Sequence, residues 1–287
     1  YGSIQSPSAH AHEYLRMLLE AAAADPGGEW DYNYRMAALQ RELWESRDGY
    51  MLDPGHDIYD YADRMLALGD QARQAGFRLV RLRAMSDAAF WYCEFARDYE
   101  RAFGLYLEVA AALDTLTTTE FPPRPHIYRK IGEMYQTFRE YDDAERFYRR
   151  IAEDPDAPAN YYKSHYLALN NLGLCYRYGD GDYVRSDSCF YALQNLTADA
   201  GHEQWVWNGI AEANLGYNRY LQEEDDSALV LLESAAAKIT RANDYPFLSG
   251  VHTRIASIYL RRNDLAAADR HIRQAVNYHR KGLRPEK

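Results

Sequence analysis

One spacing of small and aromatic residues recurs along the C-terminal two thirds of the chain, and it restricts the fold more than any other feature. Ile131-Gly132, Tyr135, Ala144, Tyr148 and Ile151 are matched, offset for offset, by Ile255-Ala256, Tyr259, Ala268, Ile272 and Ala275. Leu172-Gly173, Tyr176, Ser186, Phe190 and Leu193 repeat the pattern with one extra residue in the turn Gly179-Asp180-Gly181-Asp182-Tyr183. Ala88-Ala89, Tyr92, Ala102, Tyr106 and Val109 carry the same one-residue insertion, and Leu215-Gly216, Ala228, Leu232 and Ala235 supply a further copy. Self-similarity of this kind describes a stack of supersecondary units, each burying its apolar face against its neighbours. Small residues at fixed points let two antiparallel helices approach closely, and the aromatics between them fill the space to the next pair.

The order of large residue, Leu-Gly, Tyr, Ala, aromatic, Ala and closing Pro resembles the tetratricopeptide repeat. The resemblance covers roughly residues 77–283 and is fullest from His126 to Asp156, with Pro155 near the closing position. Ala89 and Ala256 replace the Gly, Ser186 replaces an Ala, and Arg219 stands in place of the Tyr. Successive anchors at 89, 132, 173, 216 and 256 lie 40 to 43 residues apart, longer than the roughly 34 of the standard repeat. Extra turns on each helix account for the difference, and in this the chain resembles the long-repeat helical regions of bacterial signalling regulators. The resemblance implies an all-α, α-α superhelix, a right-handed solenoid of antiparallel helix pairs.

Residues 1–76 read as an opening helix and a degenerate first pair without the Leu-Gly signature, and residues 77–287 as five repeats in one continuous solenoid domain. The opening helix runs from about Ser8 to Ala24 and stops at Asp25-Pro26-Gly27-Gly28, which cannot continue it. Trp30–Ser46 and Asp57–Ala75 follow, about thirteen helices are expected in all, and essentially no strand. Thr119–Pro125, with Pro122, Pro123 and Pro125, reads as a rigid turn between stacked pairs.

Acids outnumber bases 43 to 33, for a net charge of -10, which argues against a nucleic-acid footprint, since phosphate binding needs a dense basic face. The bases are mostly Arg, suited to planar contacts with carboxylates and to stacking on aromatics. Most of the 26 Tyr are expected to be structural, as rings packed within the repeats. Three cysteines exclude a disulfide framework and leave a single Cys175–Cys189 bond open. No His-Glu-x-x-His, zinc-finger, phosphate-loop or nucleophile-elbow pattern occurs, so no metal, cofactor or catalytic residue is expected. Asp180-Gly181-Asp182 lacks the Glu of a calcium loop, its twelfth position being Tyr191. No stretch approaches the roughly 18 apolar residues of a membrane span.

In the family that the chain resembles, the first helix of each pair lines a concave groove. Carried onto this sequence, the groove positions hold Arg83, Phe90, Arg129, Glu133, Asn170, Asn171, Arg177, Asn214, Tyr217, Tyr220 and Arg254. No Lys stands among them, unlike the carboxylate clamp of chaperone-binding relatives. Asn can pair with both donor and acceptor of a peptide backbone, Arg with carboxylates, and Tyr supplies stacking area, so a protein or peptide ligand is expected and an enzyme is not. The wider expectation is the sensory part of a larger bacterial signal transducer or transcription regulator, exposed outside the cytoplasm, with a membrane span and output domain following Lys287. A cytoplasmic adaptor for complex assembly is the alternative.

Overall fold

The computed structural model describes residues 9–48, 51–52, 55–155, 162–198 and 205–283. Among them are thirteen α-helices: α1 (Ala9–Ala24), α2 (Glu29–Glu45), α3 (Ile58–Gln74), α4 (Arg78–Trp91), α5 (Tyr99–Leu113), α6 (Arg124–Thr137), α7 (Tyr141–Ala152), α8 (Tyr162–Tyr178), α9 (Tyr183–Thr197), α10 (Trp205–Leu221), α11 (Asp225–Ala242), α12 (Tyr245–Arg261) and α13 (Leu265–Gly282). The only strands among the described residues form a two-residue antiparallel ladder, β1 (Arg47–Asp48) and β2 (Met51–Leu52), pairing Arg47 with Leu52. The expected start at Ser8 lies outside the described residues.

The described chain forms two compact units. One takes Tyr1–Met134 and Asp154–Ala157, the other Tyr135–Glu153 and Pro158–Lys287. The division falls within α6 and not at the proline-rich segment. In the first unit α1 packs on α2, α2 on α3, α3 on α4, and α4 on α5; in the second, α7 through α13 pack in sequence.

The repeat positions are the core. Ala102, Tyr106 and Val109 on α5, Ala144, Tyr148 and Ile151 on α7, Ser186, Phe190 and Leu193 on α9, and Ala228, Leu232 and Ala235 on α11 are all fully buried. On α13 the corresponding Ile272 is 45% exposed, because no further described helix covers that face. Gly173 on α8 marks a close crossing: a Cβ there would stand 2.7 Å from Phe190 Cζ and 2.8 Å from Cε1. On α10, Gly216 would meet Leu232 Cγ at 3.0 Å, and Gly209, two turns earlier, Ile239 Cγ1 at 2.7 Å. Gly69 on α3 would meet Ala84 Cβ of α4 at 2.7 Å, a crossing absent from the repeat spacing.

One turn is built five times. Arg97, Arg139, Gly181, Glu223 and Asn263 all have φ between 57° and 68°, each ending the first helix of a pair in the left-handed region. The next residue is always acidic, and its N–H donates back across the turn: Asp98 to Tyr92 O, Glu140 to Tyr135 O, Asp182 to Tyr176 O, Glu224 to Arg219 O and Asp264 to Tyr259 O, at 2.9–3.0 Å. These carbonyls stand at one repeat position, so the inserted residue of the first and third copies lengthens the closed ring without moving its ends. In the first copy the extra residue is taken up as a π turn over Tyr92–Ala96. Asp98, Asp182 and Asp264 also cap the second helix, accepting from Arg101, Arg185 and Ala267 N–H groups at 3.1, 2.9 and 3.0 Å. A β-carbon in the left-handed region costs free energy that glycine avoids. Glu223→Gly is therefore expected to stabilise the chain by about 0.5–1 kcal/mol, read as a raised thermal midpoint.

Cys175 and Cys189 are free, buried thiols, which closes the question of a bond between them, and burial pushes both up to about 12. Between α12 and α13 runs a ring column in which Tyr245 stacks on Tyr278, Tyr278 on His252, and His271 on Tyr259. His252 Nδ1 lies 3.1 Å from His271 Nδ1, so one ring donates and the other accepts. Burial, and then His271, holds His252 down at about 4. Because the folded state disfavours its proton, the stability it allows is complete above the ordinary value of about 6.5 and is lost as the pH falls towards about 4. His252→Phe is expected to flatten that part of the pH–stability curve, as measured by urea midpoints across the window; an unchanged slope would assign the titration elsewhere.

Candidate ligand-binding face

In the second unit the first helices α8, α10 and α12 lie side by side. A hydrogen-bonded ladder threads them. Tyr148 OH donates to Gln136 Oε1 at 2.9 Å and accepts from Asn171 Nδ2 at 3.2 Å. Asn171 Oδ1 accepts from Asn170 Nδ2 at 3.0 Å, and Asn170 Oδ1 from Asn214 Nδ2 at 2.9 Å. Arg177, only 4% exposed, continues the ladder: Nε donates to Asn218 Oδ1 at 2.5 Å, and its terminal nitrogens donate to Asn214 Oδ1 at 3.1 Å and Asn214 O at 2.8 Å. Asn218, fully buried, passes its own amide hydrogens to Ser186 Oγ at 3.0 Å and Asp187 Oδ1 at 2.6 Å, and Ser186 Oγ donates to Gly173 O. Every amide of this ladder has a partner, as buried polar groups require.

In front of the ladder is an arginine–tyrosine stack. Tyr217 and Tyr220 rings lie parallel with centroids 5.8 Å apart. Arg177 and Arg254 both stand over the Tyr217 ring, at 5.0 and 4.2 Å from its centroid, and Arg261 stands over Tyr220 at 4.2 Å. Arg261 is also ion-paired with Asp225, and Arg219 with Asp187 at 2.8 Å. Arg254, half-buried, donates to Gly250 O of its own helix at 3.1 Å and has no carboxylate partner among the described residues. Burial, with a smaller contribution from Arg254, lowers Arg177 from its ordinary value.

The first unit holds the other four candidates in a different electrostatic setting. Arg83 donates to Asn33 Oδ1 at 3.3 Å; one turn on, Asp87 accepts from Gln40 Nε2 at 2.7 Å. Burial raises Asp87 to about 6 against the opposing pull of Arg83. Phe90 meets Phe95 edge-on at 6.2 Å and lies under Lys130 Nζ at 5.7 Å. Arg129 pairs with Glu133, and Lys130 with Glu94 at 2.6 Å. Burial, then Arg129 and Lys130, holds His126 near 3. The α6 cations Arg129 and Lys130 thus have carboxylate partners.

The candidates thus divide. Asn170, Asn171, Arg177 and Asn214 are joined in one network and spend most of their capacity on each other, whereas Tyr217, Tyr220 and Arg254 form the accessible stack. Asn218, Ser186 and Asp187 are not among the expected groove residues, although two of them carried a signal. Asn218 occupies a repeat position held elsewhere by Trp91, Met134, Cys175 and Ile258, and Ser186 one held by Ala102, Ala144, Ala228 and Ala268. A polar side chain at an otherwise apolar position announces a buried hydrogen bond. Among the described residues no three His, Cys, Asp or Glu side chains gather in a metal-binding arrangement, and no helix is long and apolar enough to cross a membrane.

No protein-family profile and no curated protein matches the sequence. Solved structures do. BtubC (BKLC) from P. vanneervenii is similar over 80% of this chain and 93% of its own, with a TM-score of 0.61 and 20% identity. The apo form of RapI matches 96% of this chain and 82% of its own, at a TM-score of 0.59 and 9% identity. The C-terminal part of a TPR repeat-containing protein from Cytophaga hutchinsonii matches 94% and 90%, at 0.53 and 14%. The fold is accordingly all-α and tetratricopeptide-like, of the α-α superhelix class, and at these identities the likeness extends to the fold alone.

Proposed function

We propose that the chain is a non-catalytic repeat module that binds a protein or peptide ligand in extended form across α8, α10 and α12. The observation that carries this is the accessible Tyr217–Tyr220 stack with its guanidinium neighbours, standing on a ladder whose own hydrogen bonds are already made. Flat, rigid rings offer contact area at little entropic cost, and Arg and Tyr dominate binding hot spots. Arg254 keeps donors to spare.

Within that reading, the long repeats favour the sensory part of a bacterial signal transducer or transcription regulator, and an assembly adaptor accommodates the same face. The parent gene separates them: a membrane span and output domain after Lys287 support the transducer, a stop codon there the adaptor. For the binding face itself, random dodecapeptides displayed on phage are selected on the whole chain. Tyr217→Ala and Tyr220→Ala are each expected to weaken a selected peptide by about 1–2 kcal/mol. A selection that enriches nothing, or peptides indifferent to both changes, would overturn the assignment.

A further inference from the structure

We propose that Arg177 and Arg254, sharing the Tyr217 ring, form a site for an anionic group of the ligand, a carboxylate or a phosphate. The inference deepens the peptide-binding reading and rests on it for the source of the anion. Its ground is an uncompensated charge. Carboxylates on the neighbouring segments are committed to other cations: Asp187 and Glu224 to Arg219, Asp225 to Arg261 and Arg262, Asp226 to Arg262, and Glu212 to Lys238. Arg177 is held instead by Asn214 and Asn218, amides that accept its hydrogens without cancelling its charge. Arg254 has only a backbone carbonyl. Two guanidinium groups therefore lie over one half-buried ring, partly out of water, with no counter-charge among the described residues, in a chain of net charge -10.

Such an arrangement is unfavourable alone and favourable once an anion enters. Like charges in a partly desolvated site repel, and burial strengthens both that repulsion and the attraction of an arriving carboxylate or phosphate. The donors are present. A guanidinium has five N–H groups; Arg254 commits one to Gly250, which leaves a planar set for a two-oxygen acceptor, while the buried Arg177, three of whose N–H groups serve the ladder, adds its charge from beneath. The other side chains about the site, Tyr178, Tyr217 and Tyr220, are phenols and supply no carboxylate, and Arg219 and Arg261 already have acidic partners. In the first unit, by contrast, Arg129 and Lys130 are answered by Glu133 and Glu94.

The test follows the arginine Nε–Hε resonances of the whole chain by NMR while three probes are added: end-blocked hexaglutamate, end-blocked hexaglutamine and inorganic phosphate. A saturable shift of the Arg254 signal with hexaglutamate or with phosphate, and none with hexaglutamine, is expected; which anion acts identifies carboxylate or phosphate as the preferred group. Followed at the Arg177 Nε–Hε signal, Arg254→Glu should weaken that binding by about tenfold or more, and Arg254→Lys by less. Because Arg254 bonds only its own helix, both variants should keep the parent's circular dichroism. Silence towards both anions, or an Arg254→Glu protein that titrates like the parent, overturns the proposal. Selected peptides that bind through Tyr217 with no acidic group would remove the anion site and leave the peptide face; anion binding without any selected peptide would do the reverse.

Discussion

Arg177→Ala is expected to lower the unfolding free energy by about 3 kcal/mol, the largest loss from any single groove candidate. The guanidinium is the middle of the ladder, bonded to Asn218 Oδ1 and to both oxygens of Asn214, and it lies against the Phe190 ring at 5.2 Å. Removing it releases a buried charge, which favours the variant. Against that stand the loss of charge-assisted hydrogen bonds, at about 1.5–3 kcal/mol for bonds to charged groups, and the orphaning of Asn218 Oδ1 in a fully buried residue, at about 1–3 kcal/mol. A cavity beside Phe190 adds to the loss. The losses prevail. Chemical denaturation followed by circular dichroism measures the effect, with Arg254→Ala as the control expected to stay within about 0.5 kcal/mol of the parent. Equal stability of the Arg177→Ala and Arg254→Ala proteins would show that the ladder is not formed. Because Arg177 supports the fold, loss of ligand in its variant would not by itself locate the ligand.

Gly173→Leu is expected to cost about 3 kcal/mol, at the upper end of the range for overpacking. The added Cβ alone would meet three Phe190 ring atoms at 2.7–3.1 Å, and Phe190 is fully buried in a core of Tyr166, Leu169, Leu193, Ala211 and Leu215, with no room to withdraw. The same crossing carries the Ser186 Oγ bond to Gly173 O, at 2.8 Å, which a spread of the helices would lengthen. Phe190→Ala on its own should cost about 3–5 kcal/mol through its cavity. Combined with Gly173→Leu it should cost less than the sum of the two, since the leucine occupies space that the ring vacates; a coupling of about 1–2 kcal/mol is expected in the double-mutant cycle. Strict additivity would mean that the two positions do not touch.

How far the sequence speaks for itself is visible in these two sites. Gly173 opposite Phe190, and Gly216 opposite Leu232, are legible from spacing, because the approach of two helices is a steric condition met by small and large residues at set intervals and written again in every copy. The inserted residue was legible as well, although not its use: in one copy it becomes a π turn, in another a longer loop, and both return to the same carbonyl. Gly69 against Ala84 was not legible, since it occurs once, outside any repeat.

The sequence by itself determined the helix pairs, their close crossings and the burial of the repeat positions, all of which follow from side-chain size at helical intervals. Only the tertiary structure decided what Arg177 is. Its repeat position holds Cys93, Gln136, Tyr220 and Leu260 in the other copies, so nothing local distinguishes a solvated groove arginine from a buried one. The difference comes from Asn214 and Asn218, some forty residues away on α10, which supply neutral acceptors where a carboxylate would have ended the matter. Charge compensation is a property of what surrounds a group in space, and a one-dimensional pattern does not contain it.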